Sequence, residues 1–229
     1  MFDLFKSFEY YIREYSSFLG KGLKNTAIVA LLAFVIGLVI GCIIAMIRIV
    51  PKRGKIPLII LDKICATYVM IIRGTPIVVQ LLLMYFGILS SGFEAISVAV
   101  IVFGMNSSAY MSEIIRAGIL SIDKGQMEAG RTLGLSYFKT MKSIILPQAI
   151  KNSIPNVLNE LIALLKETSV AGYITVMDIT MVIQRIISNE YEAFAPYLLL
   201  ALIYLIIVSI LTVIVKGIER RLRRSDNSI

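Results

Sequence analysis

Long apolar runs separated by short polar segments dominate the pattern of this chain. Residues 27–47, 74–93, 95–112 and 193–215 contain no charged side chain, and a helix needs roughly 20 apolar residues to cross a bilayer. A fifth run, 148–170, is apolar apart from four charged residues, Lys151, Glu160, Lys166 and Glu167. The pattern predicts an all-α integral membrane protein with about five transmembrane helices, in a single domain spanning 1–229.

Composition supports this prediction. The chain is 58% hydrophobic and only 17% charged, whereas a soluble domain carries about a quarter charged residues. Its net charge of +8 is explained by loop residues. A nucleic-acid function is excluded because it would require a basic soluble face.

Basic residues predict the orientation, since Lys and Arg concentrate in cytoplasmic loops. They follow the runs 27–47, 95–112 and 193–215, in the segments 48–55, 124–142 and 216–224. The connection 90–94 has no basic residue, and 171–191 has only Arg185. We therefore predict an N-terminus outside and a cytoplasmic C-terminus, although four basic residues among three acidic ones near the N-terminus weaken the asymmetry.

The N-terminal segment, about 1–18, mixes charges and aromatic residues at near-helical spacing and is predicted to lie along the outer membrane interface. The chain has no His and two isolated cysteines, Cys42 and Cys65. This composition predicts no metal site, and it predicts that both cysteines serve packing.

A polar, glycine-containing segment at 121–147 interrupts the apolar pattern. A short helix is predicted at Lys124–Thr132, with Gly134 as its left-handed C-cap. Ser136 is suited to cap a second helix, and Pro147 to occupy the first turn of the fourth span.

The small residues at 129–130 leave a gap on this protruding segment, which predicts docking into a groove of another protein. A helical connector without a partner remains the alternative.

Polar residues recur on one face of three predicted spans, which suggests a polar path between them. The candidates are Asn152, Asn156, Glu160 and Glu167 on span four, Asn106, Tyr110 and Glu113 on span three, and Gln80 with Met84 on span two. The alternative is that these residues join helices by hydrogen bonds. Arg116, one turn from Glu113, is a candidate ion-pair partner for it.

Glu160 is the strongest candidate because an unpaired carboxylate deep in a span is costly. Its carboxylate is suited to bind the ammonium group of an amino acid or the basic side chain of a substrate. The alternative is that it pairs with a residue of a neighbouring helix. Residues 73–76 are predicted to begin span two at the cytoplasm, with a role in gating left open. A helix at 175–188 is predicted on the outer surface.

Four sequence blocks resemble the polar amino-acid permeases of ATP-binding cassette (ABC) importers, the group that takes up histidine, arginine and glutamine. The first is the EAA loop, matched here by Glu128, Ala129, Gly134, Leu146 and Pro147, with Gly130 where Ala is usual. The others are RGTPIVVQLLLMYFG at 73–87, SSAYMSEIIRAGI at 107–119 and LLKETSVAGYI at 164–174. The resemblance covers nearly the whole chain.

The resemblance implies a type I ABC-importer permease fold in a prokaryotic plasma membrane. The partners it implies are two copies of a cytoplasmic ATPase docked on the EAA loop, a second permease subunit, identical or related, and an extracytoplasmic amino-acid-binding protein. ATP and Mg²⁺ would bind the ATPase, and the chain itself would hold no cofactor and no catalytic site. Consistent with this, the sequence lacks a G-x-x-x-x-G-K-[ST] phosphate loop. The expected substrates are polar or basic amino acids: arginine, lysine or histidine.

Two other classes of function are alternatives that the sequence favours less. An ion-coupled secondary transporter would commonly show internal repeats, and no convincing repeat is present. A membrane-embedded enzyme would need a nucleophile with a base, or metal ligands at suitable spacing, and neither is found.

Overall fold

The computed structural model describes residues 2–52, 54–89 and 92–224, and within these residues the chain is helical without any β-strand. This confirms the all-α prediction. The described residues form ten α-helices: α1 Phe2–Glu14, α2 Ser16–Ile49, α3 Ile56–Gly74, α4 Ile77–Leu82, α5 Ala95–Leu120, α6 Lys124–Thr132, α7 Tyr137–Thr140, α8 Leu146–Glu167, α9 Ile179–Glu190 and α10 Phe194–Arg224.

In the described part of the chain, three helices are long and apolar enough to cross a membrane: α2, α5 and α10. Two bent pairs raise the number to five if each pair is one span, namely α3 with 77–88 and 137–174 with α9. This agrees with the predicted count. The orientation of the termini stays a prediction, and Arg53, Ser90 and Ser91, which contribute to it, lie outside the described residues.

The centre of the bundle is the contact of α2 with α5, on which α8 also packs. A Cβ placed on Gly37 would lie 2.6 Å from Oγ of Ser107, and one placed on Gly41 would lie 2.5 Å from Cβ of Met111. Only glycine allows the two backbones to come so close. Such small-residue contacts are a main source of helix association in membranes, where lipid is as apolar as the side chains.

The prediction that 74–93 forms the second span is wrong. A helix that was not predicted, α3, ends at Gly74, and the chain then bends by 106° into α4 and a π-helical turn, Leu83–Ile88. Pro76 causes the break because it has no N–H and forces Thr75 into an extended conformation, with φ −120° and ψ 143°. Asp62, which interrupts the apolar run of α3, forms an ion pair with Lys52, with 3.3 Å between Nζ and Oδ1.

Arg73 consequently lies at the end of α3 far from the basic connection between α2 and α3. Seventeen residues separate it from Ile56, which corresponds to about 25 Å along an α-helix. Arg73 is thus separated from this basic connection by the length of α3, and the predicted cytoplasmic position of residues 73–76 stays a prediction.

The fourth span agrees better with its prediction. A π-helical turn, Met141–Ile145, joins α7 to α8, and Pro147 occupies the first turn of α8 as predicted. After α8 a 3-10 helix, Thr168–Ile174, ends at Thr175, which adopts φ +66°. The helix predicted at 175–188 is α9. Its apolar residues, Ile179, Val182, Ile183 and Ile186, are buried among residues of α1, α2 and α10, so α9 belongs to the packed bundle.

The N-terminal segment forms the predicted helix, α1, and contacts the turn between α9 and α10. The hydroxyls of Tyr10 and Tyr15 donate to Glu190 at 3.2 and 2.7 Å, and that of Tyr11 donates to Glu192 at 2.5 Å. Burial, together with the hydrogen bond to Glu192, raises the pKa of Tyr11. The helix is therefore tied to the end of the bundle, while its place at the membrane interface stays a prediction.

Candidate functional site

The carboxylate of Glu160, in the middle of α8, faces α5. Ser107 of α5 donates a hydrogen bond to its Oε1 at 3.1 Å. Ser107 is fully buried against Gly37 of α2, so the position of the hydroxyl is fixed by packing. One neutral hydroxyl does not compensate a carboxylate in an apolar bundle, which leaves Glu160 with capacity for a cation.

A cation lies beside the same stretch of α5. The guanidinium carbon of Arg73 is 5.0 Å from the ring centre of Tyr110, a cation–π contact. Tyr110 follows Ser107 by three residues, so both lie on one face of α5. We call Arg73, Ser107, Tyr110, Asn156 and Glu160 the three-helix site.

The predicted amide residues divide between two environments. Asn156 is exposed and lies one turn before Glu160 on α8. Asn152 is also exposed, but its Nδ2 donates to Oγ of Ser121 at 3.1 Å, so it joins α8 to the end of α5. Asn106 is buried within α5 at 4% exposure. Of the three predicted amide residues on these helices, Asn156 is therefore the exposed one that lies one turn from Glu160.

Glu113 lies in a different environment, nearer the C-terminal end of α5. Arg116 donates to its Oε2 at 2.7 Å, which confirms the predicted pairing, and Arg48 of α2 donates to its Oε1. We call these three residues the ion-pair cluster. Two guanidiniums compensate the one carboxylate here, so the cluster joins α2 to α5.

Gln80 lies at the corner between α3 and α4, and its side-chain amide donates to backbone oxygens of Ile72 and Thr75. Its predicted face partner, Met84, lines with it an apolar cavity of about 270 Å³ beside α5. The Gln80 amide thus contacts the backbone at the break between α3 and α4.

The segment 121–147, called the coupling loop after the role that the resemblance implies for it, has the predicted local structure. The helix α6 spans the predicted residues, and the carboxylate of Asp123 caps it by accepting from the amide of Gly125 at 2.7 Å. Gly134 adopts φ +82°, as its predicted role required. Oγ of Ser136 accepts from the amide of Lys139 at 3.2 Å, which confirms the second cap.

The predicted gap at 129–130 is wrong in one respect. Gly130 is buried, and a Cβ placed on it would lie 2.5 Å from Cγ2 of Thr140, so Thr140 of the same loop already fills this space. Glu128 and Ala129 are exposed. Two apolar side chains of the same loop are also exposed: Leu133 at 81% and Phe138 at 74%.

The sequence model of one protein family, described as "Binding-protein-dependent transport system inner membrane component", matches residues 56–224. The chain belongs to this family. It is a permease of the ABC transporter type, a multi-pass protein of the plasma membrane.

Similar proteins of known name are amino-acid permeases. The arginine transport system permease protein ArtQ of Bacillus subtilis is 39% identical over 212 residues, which are 91% of this chain and 94% of ArtQ. The putative glutamine transport system permease protein GlnP of Rickettsia conorii is 37% identical over 220 residues, 94% of this chain and 98% of GlnP. The L-cystine transport system permease protein TcyB of Bacillus subtilis is 39% identical over 209 residues, 90% of this chain and 87% of TcyB.

Solved structures show the same architecture. A crystal structure of an amino acid ABC transporter with histidines is 36% identical, with a TM-score of 0.84 over 92% of this chain and 96% of its own. An inward-facing MetNI methionine ABC transporter shares the fold at 19% identity, with a TM-score of 0.76 over 91% of this chain and 98% of its own. The permease thus has the type I importer fold, and these relatives give no support to an ion-coupled transporter.

Family membership implies that the permease acts with a binding protein, an ATPase and a second permease subunit. Sequence reasoning had missed two contributors to its three-helix site, Ser107 and Arg73. Ser107 lies one residue after Asn106 and was hidden among small packing residues. Arg73 was assigned to a helix start because the break at Pro76 was taken for the membrane surface.

Proposed function

We propose that the permease forms the translocation path of an ATP-driven amino-acid importer and that Glu160 and Arg73 bind opposite ends of the substrate. One observation carries the proposal: a carboxylate and a guanidinium flank the same turn of α5, at Ser107 and Tyr110. Every free α-amino acid carries an ammonium and a carboxylate close together. A pair of opposite protein charges in an apolar bundle complements these two groups.

Each residue of the three-helix site has a distinct role in this proposal. The carboxylate of Glu160 accepts a hydrogen bond from the substrate ammonium, and it continues to accept one from the hydroxyl of Ser107. Arg73 is exposed and stacks on Tyr110, so the edge of its planar guanidinium stays available for a carboxylate. Asn156 offers an amide to other polar groups of the substrate. Asn106, Glu113 and Gln80, also predicted along the path, would support these helices rather than touch the charged groups.

The substrate class follows from this chemistry and from the names of the relatives. We propose polar amino acids, with arginine as the first probe because of the 39% identity to ArtQ. Glu167 lies two turns beyond Glu160 and is a candidate partner for the second cation of arginine, lysine or histidine.

Equilibrium binding to the purified permease–ATPase complex in nanodiscs tests the proposal. Arginine is compared with agmatine, which lacks the carboxylate but keeps both cations. Glu160→Gln should weaken both ligands by roughly ten- to a hundredfold, the range for a charge-assisted hydrogen bond. Arg73→Gln should weaken arginine and leave agmatine within about threefold.

If Arg73→Gln affects both ligands equally, or if Glu160→Gln affects neither, the two residues do not bind opposite ends of the substrate.

We also propose that the coupling loop docks the ATPase, which would bind ATP and Mg²⁺, with two ATPase copies on two permease subunits. The residues proposed for this contact are Glu128, Ala129, Gly130, Gly134, Leu146 and Pro147. The exposed Leu133 and Phe138 support the proposal, because a hydrophobic pair on a polar loop fits a groove in a partner.

Leu133→Ser with Phe138→Ser should release the ATPase during affinity purification, while the permease stays in the membrane. Gly134→Val should act in the same direction, because a β-branched residue is strained at φ +82°. Leu120→Ser is the matched control, since Leu120 is 63% exposed just before the loop. Full retention of the ATPase by both loop variants would mean that the segment is only a connector.

A further inference from the structure

Side-chain hydrogen bonds cross the corner between α3 and α4. Arg73, Gly74, Thr75 and Pro76 are all exposed, and a Cβ placed on Gly74 would meet no atom within 4 Å. Nevertheless the chain turns by 106° there within two residues. The residues on either side, Ile72 and Ile77, pack against the bundle, but the four corner residues themselves need hydrogen bonds to hold the turn.

The break frees backbone carbonyls at the end of α3, because Pro76 has no N–H and the helix does not continue. In an apolar environment each unpaired carbonyl is costly. Oγ1 of Thr75 donates to the carbonyl of Ile71 at 2.9 Å. Nε2 of Gln80 donates to the carbonyls of Ile72 at 2.8 Å and Thr75 at 3.1 Å, and to Oγ1 of Thr75 at 2.8 Å.

A single amide thus reaches back across the break and supplies the donors that the backbone lacks. Two of its three acceptors are carbonyl oxygens on either side of Arg73, at Ile72 and Thr75. These bonds restrict the backbone from which the Arg73 side chain projects towards Tyr110, 5.0 Å from its ring centre.

We propose that Gln80 is a positioning residue that holds Arg73 in the orientation needed to bind the substrate carboxylate. This inference rests on the proposed function, which assigns the carboxylate to Arg73. Gln80 then acts through the corner, without contacting the substrate. Losing its donors loosens the corner and misdirects one charged group of the site, while Glu160, on another helix, keeps its position.

The test compares arginine with agmatine in the purified complex with its ATPase. Gln80→Leu removes both N–H donors at similar size, and Gln80→Glu replaces them with acceptors that face carbonyls. Both should weaken arginine at least about fivefold relative to agmatine, a fraction of the effect of a lost charged hydrogen bond. Thr75→Val, which removes only the shared hydroxyl, should give a smaller effect in the same direction and decides the question if the Gln80 variants do not assemble.

Gln148→Leu is the matched control, because the Gln148 amide donates to the carbonyl of Ile144 at 2.8 Å within a continuous helical segment. It should leave the ratio of arginine to agmatine affinity unchanged. The double variant Arg73→Gln with Gln80→Leu should be no worse for arginine than Arg73→Gln alone, since both act on one interaction.

Equal losses for arginine and agmatine in Gln80→Leu would overturn the inference and assign Gln80 a direct or purely structural role. An unchanged ratio in Gln80→Leu and Thr75→Val would overturn it as well. If Arg73→Gln itself fails to separate the two ligands, the proposed function is at fault. If Arg73→Gln separates them and Gln80→Leu does not, only the role of Gln80 is wrong.

Discussion

The permease holds two glutamates on neighbouring helices of its centre, and their surroundings differ sharply. Glu113 in the ion-pair cluster receives hydrogen bonds from two guanidiniums, Arg48 and Arg116. Glu160 in the three-helix site receives one from a neutral serine. Both carboxylates lie within the helix bundle, where an uncompensated carboxylate is costly.

The difference indicates different purposes. The ion-pair cluster joins α2 to α5, and two guanidiniums of the chain itself compensate its carboxylate. Among the described residues, Glu160 receives its side-chain hydrogen bond from Ser107, while Arg73 of α3 lies over Tyr110, one turn along α5 from Ser107. A carboxylate that the fold compensates is suited to structure, whereas one left undercompensated is suited to a ligand that arrives with a positive charge.

The largest expected effect is that of removing Glu113. Glu113→Ala leaves two guanidiniums without a partner and should lower the free energy of unfolding by about 2–3 kcal/mol, somewhat less than for a fully buried pair. Chemical denaturation of the purified complex measures this. Glu94→Ala, at an exposed carboxylate before α5, is the control and should change stability by less than about 0.5 kcal/mol. An equally small effect of Glu113→Ala would remove the basis of the comparison.

A smaller effect is expected from Ser107→Ala. It removes the hydroxyl that donates to Glu160 and should cost about 1 kcal/mol of stability, the value for an ordinary hydrogen bond. Arginine binding should stay within about threefold, because the ammonium engages the carboxylate directly. Ser112→Ala is the control, since Ser112 is buried but donates only to Ala109 of its own helix. Abolished binding in Ser107→Ala alone would show that the hydroxyl, not the carboxylate, recognises the substrate.

The last prediction concerns position and involves no change in stability. Cysteines at Ser136 and Phe93 are tested in a background without Cys42 and Cys65. The first should react with membrane-impermeant reagents only from the cytoplasm, and the second only from outside. This would place the ion-pair cluster towards the cytoplasm, on the side of the basic loops. Labelling from the opposite sides would show that the predicted orientation is wrong and that the coupling loop lies on the side away from a cytoplasmic ATPase.

Local features of the chain were predictable from sequence. The caps at Gly134 and Ser136 depend on residues within one turn, and both were predicted correctly. The pairing of Arg116 with Glu113 was likewise predictable from helical spacing. Features that depend on distant partners were not.

The missed helix α3 illustrates the limit. Asp62 interrupts its apolar run, and the sequence does not show that Lys52 compensates this charge across the connection. The prediction of a gap at Gly130 was wrong for a similar reason, because the side chain of Thr140, ten residues further along the chain, fills that space. Arg48 was missed as a partner of Glu113 because their contact requires the register of α2 against α5.

Thermal unfolding of the complex, with and without arginine, tests the contrast between the two carboxylates most directly. Glu160→Gln should leave the melting temperature without ligand unchanged or higher, because it removes an undercompensated charge, and it should abolish the stabilisation by arginine. Glu113→Gln should lower the melting temperature and retain that stabilisation. A lower melting temperature in Glu160→Gln with full stabilisation by arginine would contradict the account and make Glu160 the structural residue.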